Sequence, residues 1–121
     1  MQTTLEYLGR ILFGGYFVYS GIHHFLHVKQ MAMYTQSKGV PMASTAVVVT
    51  GVLLLIGGVA VLLQQFLVIG LLALLIFLIP VTFLMHAFWK ISDPMGRMGE
   101  RVNFTKNLAL LGAVLLLLAQ V

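Results

Sequence analysis

The sequence predicts an all-α integral membrane protein, a four-helix transmembrane bundle, from two observations. Of its 121 residues, 60% are hydrophobic and only 8% charged, with a mean hydropathy of +1.04, whereas soluble domains are about a quarter charged. The apolar residues also fall into long runs. One helical crossing takes ~20 apolar residues, so the chain holds four crossings with short connections and no room for a soluble domain. Runs of this length are helices rather than barrel strands, because a helix satisfies its own backbone hydrogen bonds in lipid and strands are shorter and alternate.

The whole chain, 1–121, reads as one transmembrane domain. A first span is expected over 5–26, opened by Glu6 and Arg10, which lie one helical turn apart and can pair near the membrane surface. It lacks a basic leading region and is longer than a signal-peptide core, so it reads as a retained helix. Residues 28–37 read as a short interfacial helix stopped by Gly39 and Pro41. The second span is expected over 42–63 and the third over 66–89, with only Gln64 and Gln65 between them, which requires a tight antiparallel hairpin. Residues 90–102, with Asp93-Pro94, Gly96 and Gly99, read as a turn-rich loop. The fourth span follows over 103–121, with Asn103 as its N-cap.

Charge sets the expected topology. Lys29, Lys38, Lys90, Arg97, Arg101 and Lys106 lie in or beside the two longer loops, and only Arg10 lies at the opposite end. The positive-inside rule then puts both loops in the cytoplasm and both termini on the periplasmic side of an inner membrane. The net charge of +4 reports this topology and contact with anionic lipid, not nucleic acid. With no cysteine, the chain can carry out no thiol–disulfide chemistry and ligate no iron–sulfur cluster through its own thiolates. No phosphate loop, nucleophile elbow or acidic metal cluster is visible.

The polar residues within the spans gather at one depth. His23, His24 and His27 end the first span, His86 lies near the end of the third, and Lys106 and Asn107 near the start of the fourth, all at the loop side. At ~100° per residue, His23 and His27 share a helix face, as do His24 and His27, while His23 and His24 diverge, so His24 is expected to turn toward lipid headgroups or a neighbour. Tyr16, Tyr19 and Ser20 carry the polar stripe inward, and Thr82 sits one turn below His86. Pro80 frees the Ile76 carbonyl, which membrane helices tolerate beside protein or a polar cavity. Trp89 reads as an interface anchor. Polar residues inside membrane helices face the bundle interior and mark sites, so His23, His27, His86, Asn107, Lys106 and Tyr19 form the expected binding set.

Three ligands suit such a set. A quinone has carbonyl oxygens that accept hydrogen bonds, and its reduction needs protons at the membrane surface, a task imidazole performs. Haem can be held between histidines of facing helices. Copper(I) suits thioether plus imidazole, and Met31, Met33, Met42, Met85, Met95 and Met98 lie toward the histidine side. Methionine more often fills packing gaps, and no tight methionine array fixes a coordination geometry, which ranks copper last and leaves no metal site assigned.

Tyr19-Ser20-Gly21-Ile22 with His23-His24, then Gly39-Val40-Pro41, the Gly57-Gly58 helix, His86-Ala87-Phe88-Trp89 and Lys106-Asn107-Leu108-Ala109-Leu110-Leu111-Gly112 resemble, in order and over nearly the whole chain, the DoxX family of small four-helix membrane proteins. The resemblance implies the fold strongly and the reaction weakly: the family is named for its association with a thiosulfate:quinone oxidoreductase, and many members are assigned as quinone-linked redox or accessory membrane proteins. Members often carry a lysine where His24 stands, a glutamate at about Leu54 and an aspartate at Ala87. Two classes of function remain. One is a quinone-linked oxidoreductase or its membrane subunit, served by a redox partner protein. The other is a non-catalytic accessory or assembly protein. Ala109 and Ala113 offer a small-residue face for an oligomer or for internal packing.

Overall fold

The computed structural model describes residues 3–121. Among them are five α-helices and one 3₁₀ turn: α1 (Thr4–Leu26), α2 (Val28–Ser37), α3 (Ala43–Leu63), α4 (Leu67–Leu84), the turn Phe88–Lys90, and α5 (Pro94–Leu118). The all-α expectation stands, and the five helices answer to the four long segments and the short helix expected over 28–37. Among the described residues three stretches are long and apolar enough to cross a membrane: α3, α4 with the turn that follows it, and α5. Along α1, Glu6, Arg10, His23 and His24 dilute the apolar run. Side chains such as Leu12, Leu63, Ile69 and Leu116 are each 60% or more exposed, which suits hydrocarbon as the surrounding solvent. The protein is a membrane protein.

The helix ends follow from local chemistry. At the start of α1, Thr3 Oγ1 accepts from Glu6 N–H and Glu6 Oε2 accepts from Thr3 N–H, both at 3.1 Å, a reciprocal cap. Glu6 is therefore engaged with its own helix end, and Arg10 instead donates to the Leu62 carbonyl at the end of α3 at 2.9 Å, so the expected Glu6–Arg10 pair gives way to capping at both ends. Between α3 and α4 the chain reverses at Gln64 and Phe66, both with left-handed backbone (φ 54° and 52°).

The fourth expected span, from 103, begins nine residues after the start of α5 at Pro94. Asp93 Oδ2 accepts from Gly96 N–H at 2.9 Å and Pro94 occupies the first turn, so residues 94–102 are the opening turns of α5 rather than a loop, and Asn103 lies inside that helix rather than capping it. At 25 residues α5 is roughly 37 Å long, more than the hydrocarbon thickness, so its polar first turns lie outside the apolar layer. Conversely, α4 ends at Leu84, and His86 sits in the bend before the 3₁₀ turn rather than on the helix. Phe88 and Trp89 then pack edge-on against Phe104 of α5, at 5.4 and 5.5 Å between ring centres.

The helices stand in a row, α1 beside α3, α3 beside α4, and α4 beside α5, with α2 laid against α3. Two antiparallel glycine pairs seat α1 on α3. A Cβ at Gly14 would come within 2.9 Å of the Gly58 carbonyl, and one at Gly21 within 3.0 Å of the Gly51 carbonyl. Gly57 and Gly70 do the same between α3 and α4, where an added Cβ would collide with Leu74 and Ala60 respectively. Lipid gives helices no hydrophobic reason to associate, so van der Waals contact at such small-residue seams holds them together. Toward the hairpin end the interior is filled by Phe17, Leu54, Val61, Leu71, Leu74, Leu78 and Val114, none above 3% exposed.

Gly58→Val is expected to destabilise the protein by about 1–3 kcal/mol, since its Cβ would lie 2.7 Å from the Val18 nitrogen. Gly15→Ala, with nothing within 4 Å of the new Cβ, should change stability by less than ~1 kcal/mol. Thermal unfolding of the two variants in one detergent checks the contrast, and equal effects would contradict the seam.

Candidate functional site

Among the described residues, no backbone of α1 approaches α5. The ends of the row therefore face each other across a gap, and toward the loop end that gap is a cavity of about 490 Å³. Its inner walls are apolar, made by Phe17, Leu54, Phe77, Leu78 and Leu110, with Pro80 of α4 beside them. Its outer part is polar, lined by Tyr16, Tyr19, His23, His24, His86, Lys106 and Asn107, with Tyr34 and Thr35 of α2. Lys106 Nζ donates to Tyr16 Oη at 3.1 Å, a hydrogen bond that links α5 to α1 across the gap.

The structure therefore gathers His23, His86, Asn107, Lys106 and Tyr19 around one cavity. His27 is not among the lining residues. Its ring stacks on His23 at 4.2 Å, with Nδ1 3.3 Å from the His23 carbonyl, and Tyr19 extends the ladder at 6.2 Å from His23. Asn107 is 4% exposed and, among the described residues, has no side-chain hydrogen-bond partner. A carboxamide left so in a dry interior is costly; here it lies on the cavity wall.

Of the two directions expected for His24, lipid headgroups or a neighbour, the structure shows the neighbour, α3. His24 is buried at 8% exposure, and its Nδ1–H donates to the Val47 carbonyl at 3.0 Å, with Thr50 Oγ1 3.2 Å away. Gly51 makes room for it, since a Cβ there would sit 3.0 Å from the His24 Cβ. Helical spacing separates His24 from His23, but both directions lead inward because α1 has α3 on one side and the cavity on the other.

The main electrostatic feature is one that the sequence reading missed. Glu100 of α5, 8% exposed, accepts from four donors on three parts of the chain. Lys38 Nζ and Tyr34 Oη lie 2.6 Å from its Oε2, and Asn103 Nδ2 and His86 Nδ1 lie 2.9 and 3.1 Å from its Oε1. Burial, and then the Glu100 carboxylate, hold the Tyr34 phenol above its ordinary value, so it stays a donor. Lys38 Nζ also stands over the Tyr34 ring at 5.3 Å. The carboxylate thereby ties α2, the His86 bend and α5 together at the rim of the cavity. Its signal was the Asp93-Pro94 pair. Once that pair is read as N-cap and first helical residue, Glu100, Asn103 and Asn107 fall three and four residues apart on one face of α5.

Fold and site together define a helical membrane protein with an internal cavity, apolar within and polar at its rim. The DoxX family model matches residues 5–87, more than half of the chain, and the chain belongs to the DoxX family. No curated protein and no solved structure matches it. The family match ends at residue 87, so Glu100, Lys106 and Asn107 lie beyond it. Among the described residues no three His, Cys, Asp or Glu side chains are grouped to hold a metal ion.

Glu100→Ala would leave Lys38 and the His86 Nδ1–H without their acceptor. The expected loss is about 1–3 kcal/mol, at the low end because Lys38 retains some contact with solvent. Hydrogen exchange should rise in α2 and in residues 85–93 while the α3–α4 hairpin keeps its protection; uniform change along the chain would contradict a local tether.

Proposed function

We propose that this DoxX-family membrane protein binds a quinone-like hydrophobic ligand in the cavity between α1 and α5, as a quinone-linked redox protein or the membrane subunit of one. The observation that carries the reading is Asn107, buried at 4% exposure and unpartnered among the described residues on the wall of a largely apolar cavity. Ligand sites of this kind are apolar concavities with a few polar groups that fix orientation. A quinone ring and tail suit the walls made by Phe17, Leu54, Phe77 and Leu110, while Asn107, Lys106, His23 and His86 line the polar part of the cavity that a head group would enter. Tyr19 and His27 lie on the outer ladder that continues from His23. Electrons come from another protein or a soluble small molecule, since the chain has no cysteine and no nucleotide-binding motif of its own.

In the same reading α1 is a fourth span, because it lies antiparallel along α3 from Gly14–Gly58 to Gly21–Gly51 and shares the depth of α3. The loop side, with Lys29, Lys38, Lys90, Arg97 and Arg101, faces the cytoplasm of an inner membrane, and both termini face the periplasm. A periplasm-dependent phosphatase fused at the C-terminus should be active and a fluorescent protein that matures only in the cytoplasm should be dark; the reverse pair overturns the orientation.

Titration of the purified protein with a short-tailed ubiquinone should give saturable binding, weakened roughly five- to tenfold by Asn107→Leu through loss of one hydrogen bond. Unchanged affinity in both Asn107→Leu and His23→Leu would remove the quinone reading. A Soret band in the purified protein would replace quinone with haem, and a stoichiometric partner with no ligand bound would favour an accessory role.

A further inference from the structure

The hydrogen bonds around two cavity histidines decide which atoms a ligand meets. His86 gives Nδ1 to Glu100, a carboxylate that can only accept, and His24 gives Nδ1 to the Val47 carbonyl, which likewise can only accept. In both rings Nδ1 therefore carries a proton, and the polar atom left for a ligand is Nε2. Whether Nε2 offers a proton or a lone pair depends on ring charge. The single negative charge of Glu100 is already met by Lys38 at 2.6 Å, and Lys106 brings a second cation to the cavity rim. The other two acidic residues of the chain, Glu6 and Asp93, are engaged in capping α1 and α5. A third and a fourth positive charge at His86 and His24 would have no counter-charge in a largely apolar setting, so both rings are neutral and both Nε2 atoms present lone pairs.

We infer that the head group this cavity selects is a hydroxyl donor, a hydroquinone or other phenol, whose O–H is received by His86 Nε2 while Glu100 fixes the ring. The inference rests on the reading of the cavity as a ligand site and narrows it to one chemical class. A carbonyl oxygen placed against Nε2 would set lone pair against lone pair. A hydroxyl resolves this, because its hydrogen goes to Nε2 while its oxygen keeps lone pairs to accept a further hydrogen bond. Glu100 is thus a positioning residue: it fixes which ring nitrogen carries the proton and which one a ligand finds. Tyr34 and Asn103, which also donate to Glu100, hold the carboxylate in place.

The test uses the full chain in detergent under anaerobic conditions and two matched pairs, decylhydroquinone with decylbenzoquinone and 4-pentylphenol with 4-pentylanisole. Dissociation constants are measured calorimetrically and corrected for partition into micelles. The donor of each pair should bind at least ~tenfold more tightly, the worth of one well-placed hydrogen bond. In His86→Phe that ratio should fall to within about twofold, with the quinone and the ether little affected. Equal affinities within the pairs, or tighter binding of the quinone and the ether, would overturn the inference while leaving the cavity a ligand site. A preference that survives in His86→Phe would overturn the role of His86. Binding of none of the four compounds would overturn the ligand-site reading itself. The phenol and anisole comparison needs only the unaltered protein, so failure of the variant to fold does not remove the test.

Discussion

Close approach of α1 to α3 is the constraint on which the remainder depends. In lipid no apolar area is taken out of water when two helices meet, so the contact must be close enough for dispersion forces to outweigh the equally apolar lipid it displaces. Gly14, Gly21, Gly51 and Gly58 allow that, and α3 uses a second side, through Gly57, to receive α4 at Gly70. With both of its sides occupied, α3 becomes the middle of a row instead of one corner of a square. A row has two ends, and the gap between them is the cavity. Had α1 packed on α5 as well, the His86 and Asn107 side chains would have met protein instead of open space.

Glu100 is the second organising element, at the opposite end of the polarity scale. A carboxylate buried beside one cation is a doubtful source of stability, since desolvation offsets much of the attraction. Its four donors instead give it a single orientation, and through it they give a single orientation to elements that share no glycine seam. The short α2 and the bend after α4 would otherwise be held mainly by apolar contact, which is not directional. DoxX-family members often carry a glutamate near Leu54 and an aspartate at Ala87; here Leu54 is core, and the buried carboxylate beside His86 comes from α5.

How much of this is legible in the sequence differs by residue type. Apolar runs name the helical membrane class, and Gln64-Gln65 marks the hairpin, because polar pairs between two such runs have few alternatives. The common depth of His23, His86, Lys106 and Asn107 is also readable, since it needs only helix length. Direction is harder. Angular distance from His23 leaves His24 either lipid headgroups or a neighbour, and the space that decides between them is created by Gly51, a partner that helical periodicity on α1 alone does not reveal. Glu100 was hidden by the reading of Asp93-Pro94 and two glycines as a loop. Those residues suit a turn and a helix start equally well, and only the face shared by Glu100, Asn103 and Asn107 distinguishes them.

The cavity between α1 and α5 changes what kind of force can favour a bound molecule. A long-tailed ligand already dissolved in hydrocarbon gains no hydrophobic free energy by moving into walls of leucine and phenylalanine, for the same reason that the helices gain none by meeting. Lipid acyl chains compete for that volume on equal terms and in large excess. Discrimination must then come almost wholly from the few polar atoms at the rim, where a lipid tail has nothing to offer. In such a protein one carboxamide and one imidazole matter more to selection than all the apolar wall around them.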